Sequence, residues 1–336
     1  ACAAIWYNTL PMGNSRRVAA FAVARWLMTK DFPATLLPEG QDRAFVQDVV
    51  YTVIRRLRPL RRVLGSLVKT WPKGELEALL YVGAAQVLYM PDVPDFAAVN
   101  ETVDAAKTCG NPSVARVVNG VLRNLIRRRE ELEAQVAAAP VEERESYPGA
   151  LYRRWVARFG AENAERLAIW HNRPAETFLA YPDGAYVTLE RGKKVSEIPG
   201  YAEGKFIVQN PATQLAVGSM DAHDGLEVLD ACAAPGGKTV QLAWKGARVT
   251  ACEVNPRRRK TLVENLKRVG LADRVEVVEN LEALNGRAFD RVLVDAPCSN
   301  TGVLRRRPDA RWNWSEEKLA QLVKLQAEIL DAVVAF

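Results

Sequence analysis

The stretch Glu227–Thr239, Glu-Val-Leu-Asp-Ala-Cys-Ala-Ala-Pro-Gly-Gly-Lys-Thr, limits what this chain can fold into more than any other. It begins as a short apolar run and ends in a glycine turn, and a new apolar pattern starts at Val240. That order predicts strand, tight turn, helix. Gly236 and Gly237 carry no Cβ, so the backbone can turn sharply and let a ligand come close. The first N–H groups of the following helix lack intrahelical partners and point at that ligand. The pattern is not a P-loop, which needs G-x-x-x-x-G-K-[ST], because no glycine stands five residues before Gly237. It is not a G-x-G-x-x-G dinucleotide fingerprint either, so an NAD-binding reading fails. A Gly-Gly after a strand is often only a turn, and the downstream sequence decides between the two. Arg248–Glu253 reads as a second strand ending in an acid, where a carboxylate can accept hydrogen bonds from ribose hydroxyls. Asp290–Ser299 reads as a later strand that delivers Asp295 and Cys298 to the same carboxyl edge.

Around this centre the chain divides by periodicity. Residues 15–130 are helical almost throughout, with Ser15 expected to cap the first helix and Asp42 to open the second. Further helices are expected at about 59–69, 73–89, 96–108 and 112–129, the one at 73–89 strongly apolar and central. No strand signal interrupts them, so an all-α bundle is predicted. Residues 131–150 read as a polar linker, and residues 151–169 as a helix that ends at Trp170-His171-Asn172-Arg173-Pro174. His171 reads as a helix-end residue. A helix at 210–220 should pack Leu215 and Val217 on a sheet. Strands are expected at about 226–230, 248–253, 274–278 and 290–295, with helices at 237–244 and 256–269 between them. Alternating strands and helices imply a parallel α/β sheet. A last amphipathic helix runs from Ser315 to Phe336.

The motifs at 230–239 and at 295–302, Asp-Ala-Pro-Cys-Ser-Asn-Thr-Gly, resemble the RNA cytosine-5 methyltransferases, and within them the bacterial Fmu/Sun (RsmB-type) 16S rRNA enzymes. Ala98–Val103 and Arg116–Arg123 resemble the NusB-like RNA-binding domain that precedes the methyltransferase in those proteins. The resemblance implies a NusB-like domain at 12–140, a linker helix and shortened substrate-binding subdomain at 146–208, and a Rossmann-like class I methyltransferase domain at 209–336. It implies S-adenosyl-L-methionine as cofactor and small-subunit (16S) rRNA as partner. Cys232, Ala233, Ala234, Pro235, Gly236, Gly237 and Lys238 carry over as the methionine-side turn. Glu253 carries over as the ribose acid, Arg258 as a neighbour of the ribose, Asn280 as a substitute near the adenine, and Asp295 as a further cofactor contact.

Cytosine C5 needs a thiolate added at C6 before it can accept a methyl group. Cys298, Asp295 and Lys238 are the expected catalytic set, Asp295 at the cytosine edge and Lys238 paired with it. The bland alternative for Cys298, a buried structural thiol, fits its Asp-Ala-Pro-Cys context poorly. The family has two cysteines, one in this motif that assists release and a nucleophile in a later Thr-Cys motif. That Thr-Cys lies outside the sequence shown, which suggests truncation at the C-terminus. Arg55, Arg56, Arg58, Arg61 and Arg62 have no acids beside them, which favours phosphate contact over a merely solvated face. Arg305, Arg306, Arg307 and Arg311, with Trp312, suit RNA backbone and an extruded base. The alternatives are a tRNA cytosine-5 methyltransferase and a noncatalytic RNA-binding factor with a vestigial methyltransferase fold.

Five cysteines without a C-x-x-C pair and two histidines argue against a disulfide framework and against a metal site. A reducing cytoplasm is the natural compartment. No apolar run reaches a membrane span, and residues 1–11 lack the basic start of a signal peptide. The net charge of +6 agrees with a nucleic-acid partner. A monomer is expected.

Overall fold

The computed structural model describes residues 14–37, 42–109, 111–190, 192–334 and 336, so the expectations about residues 1–11 lie outside the described residues. The chain forms two compact units, one reaching to Pro174 and including Asn300–Ser315, the other holding Ala175–Ser299 and Glu316–Phe336.

The first unit is helical: α1 (Ser15–Thr29), α2 (Arg43–Arg55), α3 (Leu57–Gly65), α4 (Glu75–Tyr89), α5 (Asp95–Lys107), α6 (Pro112–Arg127), α7 (Arg129–Ala137), α8 (Val141–Arg144), α9 (Gly149–Phe159) and α10 (Ala161–His171). Helix α4 is buried continuously from Ala78 to Val87, as a helix apolar all round must be. At Gly83 a Cβ would stand 2.5 Å from Leu122, so the glycine lets α6 approach α4 closely. The cap of α1 is Asn14, whose side chain accepts from the N–H groups of Arg16 and Arg17. Ser15, expected in that role, instead donates to the Asp42 carboxylate, and Asp42 makes no capping bond to α2.

The polar stretch at 131–150 is not a linker. It folds into α7 and α8 and buries Leu132, Ala139, Ser146 and Tyr147. The division between the two compact units falls after Pro174. Polarity misled here because these acids face arginines of the same unit: Glu145 pairs with Arg56 and Glu143 with Arg62, each at 3.0 Å. The expected single helix at 151–169 is two, broken at Gly160.

The second unit carries two sheets among the described residues. The strands β1 (Thr177–Ala180), β2 (Tyr186–Leu189) and β3 (Ile207–Val208) form a small antiparallel sheet in the order β2-β1-β3. After α11 (Thr213–Ser219) come β4 (Glu227–Asp230), α12 (Gly237–Trp244), β5 (Arg248–Cys252), α13 (Pro256–Arg268), β6 (Val275–Val278) and β7 (Arg291–Leu293). These strands pair in parallel in the order β6-β5-β4-β7. The short α14 (Ala310–Asn313) belongs to the first unit, and α15 (Glu316–Val333) returns to the second.

The four parallel strands and the helices α12 and α13 follow the sequence expectation to within two residues, whereas α3, α11 and α15 each differ from it by three or four at one end. Alternation puts Val228 in one apolar cluster and Leu229 in the other, so both faces of the parallel sheet are covered. Val217 of α11 is buried, but Leu215 is 78% exposed and does not pack on the sheet as expected. The helix is short, and Val217 and Met220 take its inward side.

Candidate active site

The strand order reverses direction at β4: the chain moves outward through β5 and β6 and then returns to place β7 on the other side of β4. The crevice beyond the carboxyl ends of strands at such a switch is where open α/β sheets bind ligands. The turn after β4 and the loop after β7 both lie at that edge.

Gly236 sits in the left-handed region at φ 103°, and a Cβ there would stand 2.7 Å from Leu262. Gly237 opens α12. The turn is braced from α13, where Arg258 donates to Ala234 O at 2.6 Å and Asn265 to Pro235 O at 2.8 Å. Behind it Asp230 is buried, and Thr239 Oγ1 donates to its Oδ2 at 2.7 Å. Burial pushes the Asp230 carboxyl up to about 6, against the pull of Thr239 and Lys238.

Lys238 Nζ lies 2.5 Å from Asp295 Oδ2, joining turn and loop as the sequence proposed. The lysine is largely covered and the carboxylate 57% exposed, so Asp295 faces outward from a partly sheltered cation. Cys298 is exposed. Burial pushes the thiols of Cys232 and Cys252 up to about 11 and that of Cys109 up to about 12, so none of these three is a nucleophile near neutral pH.

Glu253 is buried at the end of β5; its Oε1 accepts from Asn255 N at 2.9 Å, and Arg258 approaches its Oε2 at 3.5 Å. Arg258 thus bridges the acid and the turn. Asn280 follows β6 and accepts from Ala283 N at 3.0 Å, which fixes a local turn. Asp230, Thr239, Asn265 and Gln326 were missed from the sequence as parts of this region. The first two lie inside the motif and were legible there; the other two have no local signal. Among the described residues, no cluster of three or more His, Cys, Asp or Glu could hold a metal ion.

The model of the 16S rRNA methyltransferase RsmB/F family matches residues 217–336, and that of the NusB family matches residues 13–127. The ribosomal RNA small subunit methyltransferase B of Salmonella arizonae is 34% identical over 358 residues, covering 95% of this chain and 83% of that protein. That of Citrobacter koseri is 33% identical over 361 residues with the same coverage. The chain belongs to the RsmB/F family of rRNA methyltransferases. The solved structure of PH0851 shares the fold at a TM-score of 0.72 and 20% identity, covering 98% of this chain and 84% of that one.

In this RsmB/F family member most of the arginines assigned to RNA have protein partners within the first unit. Arg55 donates to Arg305 O at 3.1 Å and Arg58 to Tyr147 O at 2.6 Å, and Arg56 pairs with Glu145. Acids do balance this cluster, contrary to the sequence expectation: Glu143 of α8 and Glu145 at its C-terminal end meet Arg62 and Arg56. Arg61 and Arg62 are exposed, Arg61 lying over the Trp71 ring at 5.2 Å. Arg311 is fully buried, so it is not an RNA contact. It donates to Ser146 O at 3.1 Å and Asn172 Oδ1 at 3.0 Å and stacks on Tyr147 at 4.1 Å. Arg305 donates to Pro174 O and lies over Trp170 at 4.7 Å. Arg307 pairs with Asp309 at 2.9 Å, and Arg306 is exposed. His171 closes α10, buried, and burial pulls it down to about 4 with help from Arg311 and Arg305.

Proposed function

We propose that this chain methylates C5 of a cytosine in 16S rRNA, with S-adenosyl-L-methionine as donor and a covalent cysteine adduct on the base. The observation that carries the reading is the Lys238–Asp295 pair at 2.5 Å, which joins the glycine turn to the loop bearing the exposed Cys298. The residues fit the cofactor. A positive-φ turn opening α12 offers backbone N–H groups to a carboxylate, and the buried Glu253 keeps lone pairs for ribose hydroxyls. When bound, S-adenosyl-L-methionine supplies the electrophilic methyl group that C5 takes.

The residues of this chain bind and orient the base, and the attacking thiolate is that of the family's Thr-Cys motif, which is not among them. A thiolate adds to C6 and makes C5 enamine-like; after methylation C5 loses its proton, the C6–S bond breaks and the base regains aromaticity. Asp295 in its acid form donates its proton to cytosine N3 as the thiolate adds at C6, and is then the carboxylate beside Lys238. Lys238 holds the Asp295 carboxylate in place and offsets its charge. Cys298 serves the release step. Arg61, Arg62 and Arg306 are exposed and would meet phosphate, Arg62 by exchanging Glu143 for it. Among the described residues no helix is long and apolar enough to cross a membrane, and action on rRNA favours the cytoplasm.

The test is transfer of labelled methyl from S-adenosyl-L-methionine to protein-free small-subunit rRNA by a protein that carries this chain together with the Thr-Cys motif, and by its Cys298→Ala variant. The reading expects label in RNA with the unsubstituted protein. It expects a protein–RNA adduct, stable to denaturing gel conditions, to accumulate with Cys298→Ala. Label in the RNA without any adduct in the variant would remove Cys298 from the release step. No label from the unsubstituted protein would overturn the function.

A further inference from the structure

We propose that two side-chain carboxamides, Asn265 on α13 and Gln326 on α15, are positioning residues that set the two turns of this site, Asn265 for the cofactor turn and Gln326 for the cysteine loop. The inference rests on the methyltransferase reading above and goes beyond its motifs. Asn265 Nδ2 donates to Pro235 O at 2.8 Å, and Gln326 Nε2 donates to Pro297 O at 2.8 Å. Each acceptor is the carbonyl of a proline that directly precedes functional residues. Gly236-Gly237-Lys238 follow Pro235, and Cys298 follows Pro297.

The geometry has a direct consequence. Proline has no N–H, so its carbonyl is the one backbone hydrogen-bonding group at each position. The peptide unit is planar, so fixing that oxygen also fixes the N–H and Cα of the next residue. At the first turn the next residue is Gly236, whose N–H donates to Ala233 O at 2.8 Å and closes the turn. At the second it is Cys298 itself. Neither proline lies in a strand or helix, so no ladder holds its peptide plane.

Helix α13 is built for the first task. Arg258, Leu262 and Asn265 stand at i, i+4 and i+7, one face of the helix. They meet Ala234 O, the Cα side of Gly236 and Pro235 O in turn. On α15 the neighbours Val323, Leu325 and Leu330 are exposed, whereas Gln326 is half-covered and reaches the loop. A directional donor, not apolar packing, is what each helix offers its proline.

The two carboxamides should separate kinetically. Asn265→Leu should weaken binding of S-adenosylhomocysteine, measured by calorimetry, and raise KM for the methyl donor by about 3- to 10-fold, the worth of one hydrogen bond, with kcat nearly unchanged. Gln326→Met should lower kcat by about 3- to 10-fold with cofactor affinity unchanged. Asn265→Asp and Gln326→Glu, which keep shape and lose the donor, should show the same division. All four variants should melt within a few degrees of the parent by circular dichroism. Variants that leave both parameters unchanged, or that shift both parameters together with the melting temperature, would overturn the assignment. If the unsubstituted protein, with the Thr-Cys motif included, transfers no methyl to cytosine, the reading of the site falls, and the role of Gln326 with it. Calorimetry with Asn265→Leu then decides the role of Asn265 alone.

Discussion

Arg311 of the first unit and Lys238 of the second use a positive charge in opposite ways. Arg311 has no exposed surface and is met mainly by carbonyl oxygens and the Tyr147 ring. Burial pulls its guanidinium down to about 10, still protonated at neutral pH. Lys238 keeps some access to solvent and faces a carboxylate that is more than half exposed. A charge enclosed by neutral acceptors cannot change partners without breaking the core around it. A charge shared with an exposed carboxylate can pass to a ligand at little cost. The first arrangement fixes a fold, and the second suits chemistry.

The largest effect expected is on stability. Arg311→Met removes the donor from Ser146 O and Asn172 Oδ1 and should cost about 1–3 kcal/mol for each acceptor left unpaired, read as a large fall in melting temperature. A change below about 1 kcal/mol would mean that the guanidinium is not a structural pin. Lys238→Met should do the reverse. Stability should move by less than about 1 kcal/mol, as for a partly exposed pair, while methyl transfer falls about 100-fold or more, within the range for a lost electrostatic partner of a catalytic group.

The two units should also answer pH in opposite directions. The folded Asp230 carboxyl is raised from 3.8 to about 6, so the folded state binds more protons in that window. The second unit should lose stability as pH rises from about 4 to about 6, by roughly 3 kcal/mol, and Asp230→Asn should flatten that slope. The folded His171 is lowered from 6.5 to about 4. The first unit should lose stability as pH falls through that window, and His171→Gln should flatten it. Melting curves followed separately in the two units, at pH 4.5 and 7, check both signs. The smallest effect concerns the exposed arginines. Arg61→Ala with Arg62→Ala should leave stability within about 1 kcal/mol. The pair should also reduce the salt dependence of rRNA binding by about 1 to 2 in log–log slope.

The same contrast explains what could be read from the chain. Every strand of the parallel sheet and the Lys238–Asp295 pair follow from motifs whose parts lie beside one another or on neighbouring strands. The roles of Arg56, Arg58 and Arg311 depend on Glu145, Ser146, Tyr147 and Asn172, and that of Arg55 on the Arg305 carbonyl, which no local pattern connects to them. A run of arginines looks unbalanced when its acids lie far along the chain, and a segment rich in glutamate looks like a linker when those acids serve the arginines. Leu215 failed for a related reason: periodicity marks an apolar position but not which side of a short helix the sheet will cover.

The most direct test of the account is to map the methyl group. Small-subunit rRNA from cells lacking this protein would be incubated with S-adenosyl-L-methionine and either a protein that carries this chain together with the Thr-Cys motif or its Asp295→Asn variant. Bisulfite sequencing and mass spectrometry of the digested RNA would follow. The account predicts 5-methylcytosine at a single position with the unsubstituted protein and at least a 100-fold slower appearance with Asp295→Asn, a loss of about 3 kcal/mol of transition-state stabilisation. Methyl on any atom other than cytosine C5, or equal rates for the two proteins, would contradict it.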